Sequence, residues 1–187
     1  VLAEAGMTPK DFGLASTLKV LCFGSGAVTN TLMALFKRSD NVDLILQSRY
    51  ADHVVSNGVK LLHRGDEIAV PKSDIKVIKD PRHAVGYSPT VIINGRQLGG
   101  NYDEIFDACG QDTEYIMCAQ NGFSSQALYR ASQDYIARNP GRADIIKNIV
   151  GVDMSMFVKM SGTEEKHTTI LQPGAKWVFG AFELADG

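Results

Sequence analysis

Leu18 to Asn30 reads LKVLCFGSGAVTN, an apolar run that enters a Gly24-Ser25-Gly26 turn and continues into a helix. Val20, Leu21, Cys22 and Phe23 precede the turn, and Leu32, Leu35 and Phe36 recur behind it at the spacing of one helix face. This order, buried strand, glycine turn, helix, is the one that receives a phosphate-bearing nucleotide. Gly24 lets the chain bend sharply off the strand. Gly26, having no Cβ, lets the backbone approach a diphosphate at the positive end of the helix, with Ser25, Ala27 and Val28 completing the turn. The pattern GxGxxG is incomplete, because Thr29 stands where its third glycine would fall.

The next informative point lies about 20 residues on, where such an architecture holds the adenosine ribose at the end of a second strand. That strand is Val42 to Gln47, and it runs into Ser48-Arg49. An Asp or Glu there would accept both ribose hydroxyls and repel a 2′-phosphate. A hydroxyl beside a guanidinium suits a phosphate monoester instead, because Arg offers paired donors to it. Ser48 and Arg49 therefore favour NADP over NAD, FAD or S-adenosylmethionine. Taken without the glycine turn, Arg49 would read as an ordinary solvated residue.

Composition bounds the remaining classes. The chain has 187 residues, 44% of them hydrophobic, and a net charge of -2, enough for a sizeable core and no reason to expect nucleic acid as a partner. Apolar runs stay short of membrane-spanning length, and the first residues lack the basic-then-apolar layout of a secretion signal. Cys22, Cys109 and Cys118 are an odd set without metal-ligand spacing, which reads as buried free thiols and a cytoplasmic setting, with no metal expected. Residues 1–17 read as a leader, with Met7 a candidate start, and residues 18–187 as one α/β domain.

Strands alternate with helices along the rest of the chain, which predicts a doubly wound, mostly parallel sheet of Rossmann type. A short helix ends at Gly58, and Lys60 to His63 with Glu67 to Val70 read as a small hairpin. Pro89 to Asn94 reads as a buried central strand, Asn101 to Cys109 as a helix, and Tyr115 to Ala119 as the next core strand. Ser124 to Arg138 carries a helical stripe of Leu128, Ala131, Tyr135 and Ile136, stopped by Asn139-Pro140-Gly141. The second half of Ile145 to Met154 supplies a further strand. At the end, Thr168 to Leu171 and Lys176 to Phe179 flank Gln172-Pro173-Gly174-Ala175, which predicts an antiparallel hairpin at the sheet edge.

Five segments together resemble a known family: KVLCFGSGAV, the Ser48-Arg49 pair, HVVSNGVKL, the Gln120-Asn121-Gly122 turn and HTTILQPGAKWVFGAF. From Leu18 to Phe182 the chain is similar to the N-terminal domain of the ketopantoate reductases (2-dehydropantoate 2-reductases). The resemblance implies a Rossmann domain that binds NADP(H), with Gly24, Ser25, Gly26, Ala27 and Val28 at the diphosphate and Ser48 and Arg49 at the 2′-phosphate. It places Asn121 beside the nicotinamide, although Asn121-Gly122 by itself is also an ordinary turn. Arg96 falls roughly where the family carries a lysine near the cofactor. The substrate implied is a small 2-keto acid, and self-association stays open.

Two departures bear on activity. A branched Thr29 at the helix-strand contact predicts a displaced helix or a narrowed crevice. In the family, the lysine and glutamate that serve the substrate lie in a following helical domain, whereas this sequence stops at Gly187, so no catalytic residue is assigned; Lys159, His167, Met156 and Phe157 are candidates without a role. The sequence thus leaves three functions open: the cofactor-binding half of an NADP-dependent 2-keto acid reductase, a non-catalytic NADPH-binding module, or an α/β enzyme using another nucleotide, such as a methyltransferase.

Overall fold

β1 (Leu18–Phe23) lies at the centre of the sheet because its last four residues, Val20 to Phe23, are fully buried and packed on both faces. A strand apolar on both sides needs helices or sheets above and below it, which is the parallel arrangement. The computed structural model describes residues 17–49, 51–63, 66–96, 100–119, 122–146, 148–154, 158–160, 168–171 and 177–180. Among them β1 pairs in parallel with β2 (Val42–Gln47) on one side and with β6 (Val91–Asn94) on the other.

The main sheet has seven strands in the order β11-β8-β7-β6-β1-β2-β5, where β5 is Ile75–Ile78, β7 Tyr115–Cys118, β8 Asn148–Met154 and β11 Trp177–Gly180. All pairings are parallel except β8 with β11, which closes the edge. The order reverses between β1 and β6, and a crevice outside the carboxyl ends of the strands forms at such a reversal. The expected doubly wound fold with an antiparallel C-terminal edge is therefore present, but its pairing differs in one respect. β10 (Thr168–Leu171) does not pair with β11; it leaves for a second sheet of order β4-β3-β10-β9, with β3 Val59–His63, β4 Asp66–Val70 and β9 Val158–Met160. The turn 172–176 lies outside the described residues.

That second sheet explains α1 (Ala27–Phe36). Thr29 to Ala34 are all buried, too many for a helix covered on one side only. Leu32 and Met33 pack in one core with Val20 and Leu46 of the main sheet and with Val59, Leu61 and Val70 of the second, so α1 is enclosed between the two. Thr31 settles its hydroxyl by donating to Ala27 O at 2.9 Å. On the other face, α3 (Asp103–Asp107) and α4 (Gly122–Arg138) cover Leu21, Phe23, Ile92 and Ile116 through Ile105, Phe106, Leu128 and Tyr135. Carbonyls at and just past the end of α3 are met by Arg142, whose Nη2 donates to Phe106 O at 2.7 Å and Cys109 O at 2.8 Å. α2 (Asp52–Asn57) ends at Gly58 as the sequence indicates. Among the described residues no helix is long and apolar enough to cross a membrane.

Candidate functional site: the crevice at the head of α1

Three strand ends meet at the crevice. Gly24 N donates to Gln47 O at 2.8 Å, Gly95 N to Phe23 O at 2.8 Å and Ser48 N to Ile78 O at 3.0 Å, so the exits of β1, β6 and β2 are stitched to their neighbours. Gly24 sits at φ +93, a conformation costly to a side chain, and a Cβ there would lie 3.2 Å from the Gly95 carbonyl. Gly26 caps α1 with extended backbone, and a Cβ at Gly26 would meet no atom of the described residues within 4 Å. Among the described residues the space above Gly26 is thus open, and the first turn of α1, holding Ala27 and Val28, carries no acidic side chain. Such a helix start presents unsatisfied N–H groups and a positive partial charge to an anion.

Thr29 packs directly against the exit of β6. The room comes from Gly95, where a Cβ would overlap Thr29 Oγ1 and lie 3.3 Å from Thr29 Cβ. The absent helix glycine is therefore matched by a glycine on the facing strand end. Among the described residues Thr29 Oγ1 is buried without a hydrogen-bond partner.

Ser48, 5% exposed, shares a hydrogen bond of 2.9 Å between its Oγ and that of Ser25, which ties the end of β2 to the glycine turn. Arg49 follows, exposed, and borders a cleft of about 370 Å³ with Gly24, Ser48, Arg96 and Glu104, and a second of about 430 Å³ with Lys79, Asp80, Arg82 and Glu104. The neighbouring cations are engaged: Lys79 with Asp52 at 2.6 Å, Arg82 with Asp80 at 2.6 Å and Arg96 with Glu104 at 2.6 Å. Among the described residues, Arg49 is the one of these four without a carboxylate partner.

Arg96 reaches the crevice but is held there. Its Nη1 donates to Glu104 Oε2 and, at 3.4 Å, to Asn101 O; its Nη2 donates to Gln47 Oε1, and the guanidinium carbon stands 4.7 Å from the Phe23 ring centroid. Gln47 is in turn fixed by donating to Lys79 O at 2.9 Å. Gln47, Gly95 and Glu104 join the crevice without having stood out in the sequence. Gln47 had a signal, a polar residue closing the apolar run Leu44 to Leu46; Glu104, inside a short acidic helix, had none. Asn121, Met156, Phe157 and His167 lie outside the described residues, as does residues 1–16 of the leader.

The Cys22 thiol, on β1 before the glycine turn, offers no nucleophile. Burial pushes Cys22 up to about 12, so it stays protonated at neutral pH.

A glycine turn at a strand-order reversal, with a helix start beside it, defines a Rossmann-type α/β fold. Comparison with solved structures agrees. The chain superposes on 2-dehydropantoate 2-reductase from Methylococcus capsulatus with TM-score 0.60 at 13% identity, covering 88% of this chain and 49% of that one. It also superposes on D-mandelate dehydrogenase in a ternary structure with NADH and anilino(oxo)acetate (0.60, 16%, 91% and 50%) and on NADP+-bound yersinopine dehydrogenase (0.57, 14%, 83% and 39%). No protein-family model matches the chain, and neither does any curated protein sequence. The family resemblance read from the motifs is thus met by ketopantoate reductases among the structural neighbours, as a likeness of fold. The chain spans about half the length of the reductases it resembles.

Proposed function

We propose that this chain binds NADP(H) and forms the cofactor-holding part of a reductase of the ketopantoate type, acting on a small 2-keto acid. The observation that carries the choice of NADP is Arg49, a guanidinium without a carboxylate partner among the described residues, next to a Ser48 hydroxyl anchored on the glycine turn. A phosphate monoester satisfies both through paired donors, whereas a bare ribose offers the guanidinium nothing anionic. Gly24 and Gly26 admit the diphosphate to the start of α1, with Ser25, Ala27 and Val28 supplying backbone N–H groups. Arg96 borders the same cleft. Asn121 is assigned to the nicotinamide end by the family resemblance.

Bound there, the cofactor would supply a hydride to a substrate carbonyl. The protein's task is then to orient it and to protonate the oxygen that gains charge. A second reading, a non-catalytic NADPH-binding module, draws support from Arg96. Where the family has a lysine, this guanidinium does not give up a proton and is already bound to Glu104 and Gln47.

Fluorescence titration with NADPH and NADH tests the cofactor. Arg49→Ala should weaken NADPH binding by roughly 10- to 100-fold, the share of a charge-assisted pair, and leave NADH within about 3-fold. Equal loss for both cofactors, or none, would remove the 2′-phosphate assignment. NADPH oxidation on addition of 2-dehydropantoate separates the reductase from the module.

A further inference from the structure

α3 places three carboxylates near the crevice, and two are committed elsewhere. Asp103 receives a bidentate grip from Arg138 at 2.9 and 3.0 Å, and Asp107 accepts from Tyr135 Oη at 2.6 Å. Ile105 and Phe106 are fully buried between them, so the backbone that carries Glu104 is fixed from the far side. Glu104 alone of the three borders the crevice, at the wall facing Gly24, Ser48 and Arg49. The Glu104 and Arg96 side chains are 21% and 19% exposed. A pair so shielded is coupled more strongly than one on an open surface.

We propose that Glu104 is a latch on Arg96, an internal anion that holds the guanidinium until a phosphate of the nucleotide replaces it. This rests on the nucleotide-binding reading above. Glu104 takes the Nη1 side of the guanidinium, so a phosphate that needs that side for a paired grip competes with the carboxylate. Gln47 and the Phe23 ring hold the remaining sides of the guanidinium and keep it aimed into the cleft during the exchange. Glu104 then turns toward the neighbouring cleft, which it already borders with Lys79 and Arg82. The latch lowers affinity for every phosphate-bearing ligand of this cleft and keeps the free protein from presenting an unpaired guanidinium.

Calorimetric titration of the whole chain with ADP-ribose, which carries the diphosphate alone, and with 2′-phospho-ADP-ribose tests this. Glu104→Gln should bind at least one of them roughly 5- to 20-fold more tightly, while its ligand-free melting temperature falls. A merely structural glutamate would lower stability and affinity together. A gain with both ligands assigns the exchange to the diphosphate; a gain confined to the second assigns it to the 2′-phosphate. Glu104→Asp, which keeps the charge but shortens the reach, should show a smaller gain in the same direction. Wild-type binding with no gain in either variant overturns the latch and leaves the nucleotide reading standing. Absence of binding by wild type and variants alike overturns both.

Discussion

Charged clefts lie at both ends of the main sheet's strands, and they differ as anion sites. At the carboxyl ends lies the crevice of Gly24, Ser48, Arg49 and Arg96, of about 370 Å³; at the amino ends lies a larger one of about 540 Å³, bordered by Lys19, Lys37, Asp43, Asp74 and Lys76. Counting cations would favour the second. The difference is backbone direction. The carboxyl-end cleft borders Gly24, on the turn that leads into the first turn of α1, whereas the amino-end cleft borders Lys37 after its last turn, where carbonyls give a negative partial charge. Two of the amino-end lysines are also occupied, Lys37 by Asp74 at 3.6 Å and Lys76 over the Tyr87 ring at 4.3 Å. Charge alone does not make an anion site; oriented N–H groups do.

The core between the two clefts carries both, so the most severe break is to ionise its buried groups. Cys22 rises from 9.0 to about 12 because burial penalises its thiolate, and Cys109 rises to about 12 for the same leading cause. Tyr135 also rises to about 12, first through burial and then through its bond to Asp107. In each case the unfolded chain loses its proton at a lower pH than the folded one. Their contribution is whole below pH 9 and is lost as pH climbs toward 12. The melting temperature should hold steady from neutrality to about pH 8.5 and drop by roughly 10 °C or more by about pH 11. A flat profile to pH 11 would mean that these groups are open to solvent.

The next break separates the clefts. Gly95→Ala forces a methyl onto Thr29 Oγ1, and Thr29 has little rotamer freedom in a helix. The cost should be about 1–3 kcal/mol, read as a fall of roughly 3–10 °C in melting temperature, with weaker NADPH binding because α1 shifts from the turn. Thr29→Gly in the same chain should recover most of both. Failure of the second change to rescue the first would show that Gly95 serves β6 alone, and that the helix glycine has no counterpart on the strand.

That pair also marks where the sequence stops being legible. Val20 to Phe23, the Gly24 turn and the apolar face of α1 are local patterns, and they located β1, α1 and the crevice between them. The exchange of glycine between positions 29 and 95 spans two elements far apart in the chain. Seen only from Thr29 it reads as a clash. The same limit applies to β10: Thr168 to Leu171 has the signature of a strand, but its partner β3 is set by the uncovered face of α1, which no local pattern reports. Glu104 is the extreme case, since its meaning lies entirely in Arg96, which packs against it from the end of another element.

The smallest expected effect probes the cleft that should not bind. Lys76→Ala removes a cation from the amino-end site and its contact with Tyr87, worth about 0.5–1 kcal/mol at an exposed position. The melting temperature should fall by roughly 1–4 °C, and NADPH affinity should stay within about 2-fold of wild type. Long-range attraction gives no escape from this outcome, because at physiological salt a charge beyond about 8 Å is largely screened. If Lys76→Ala weakened NADPH as much as Arg49→Ala does, the amino-end cleft would be taking the nucleotide, and the orientation of α1 would have lost its explanatory role.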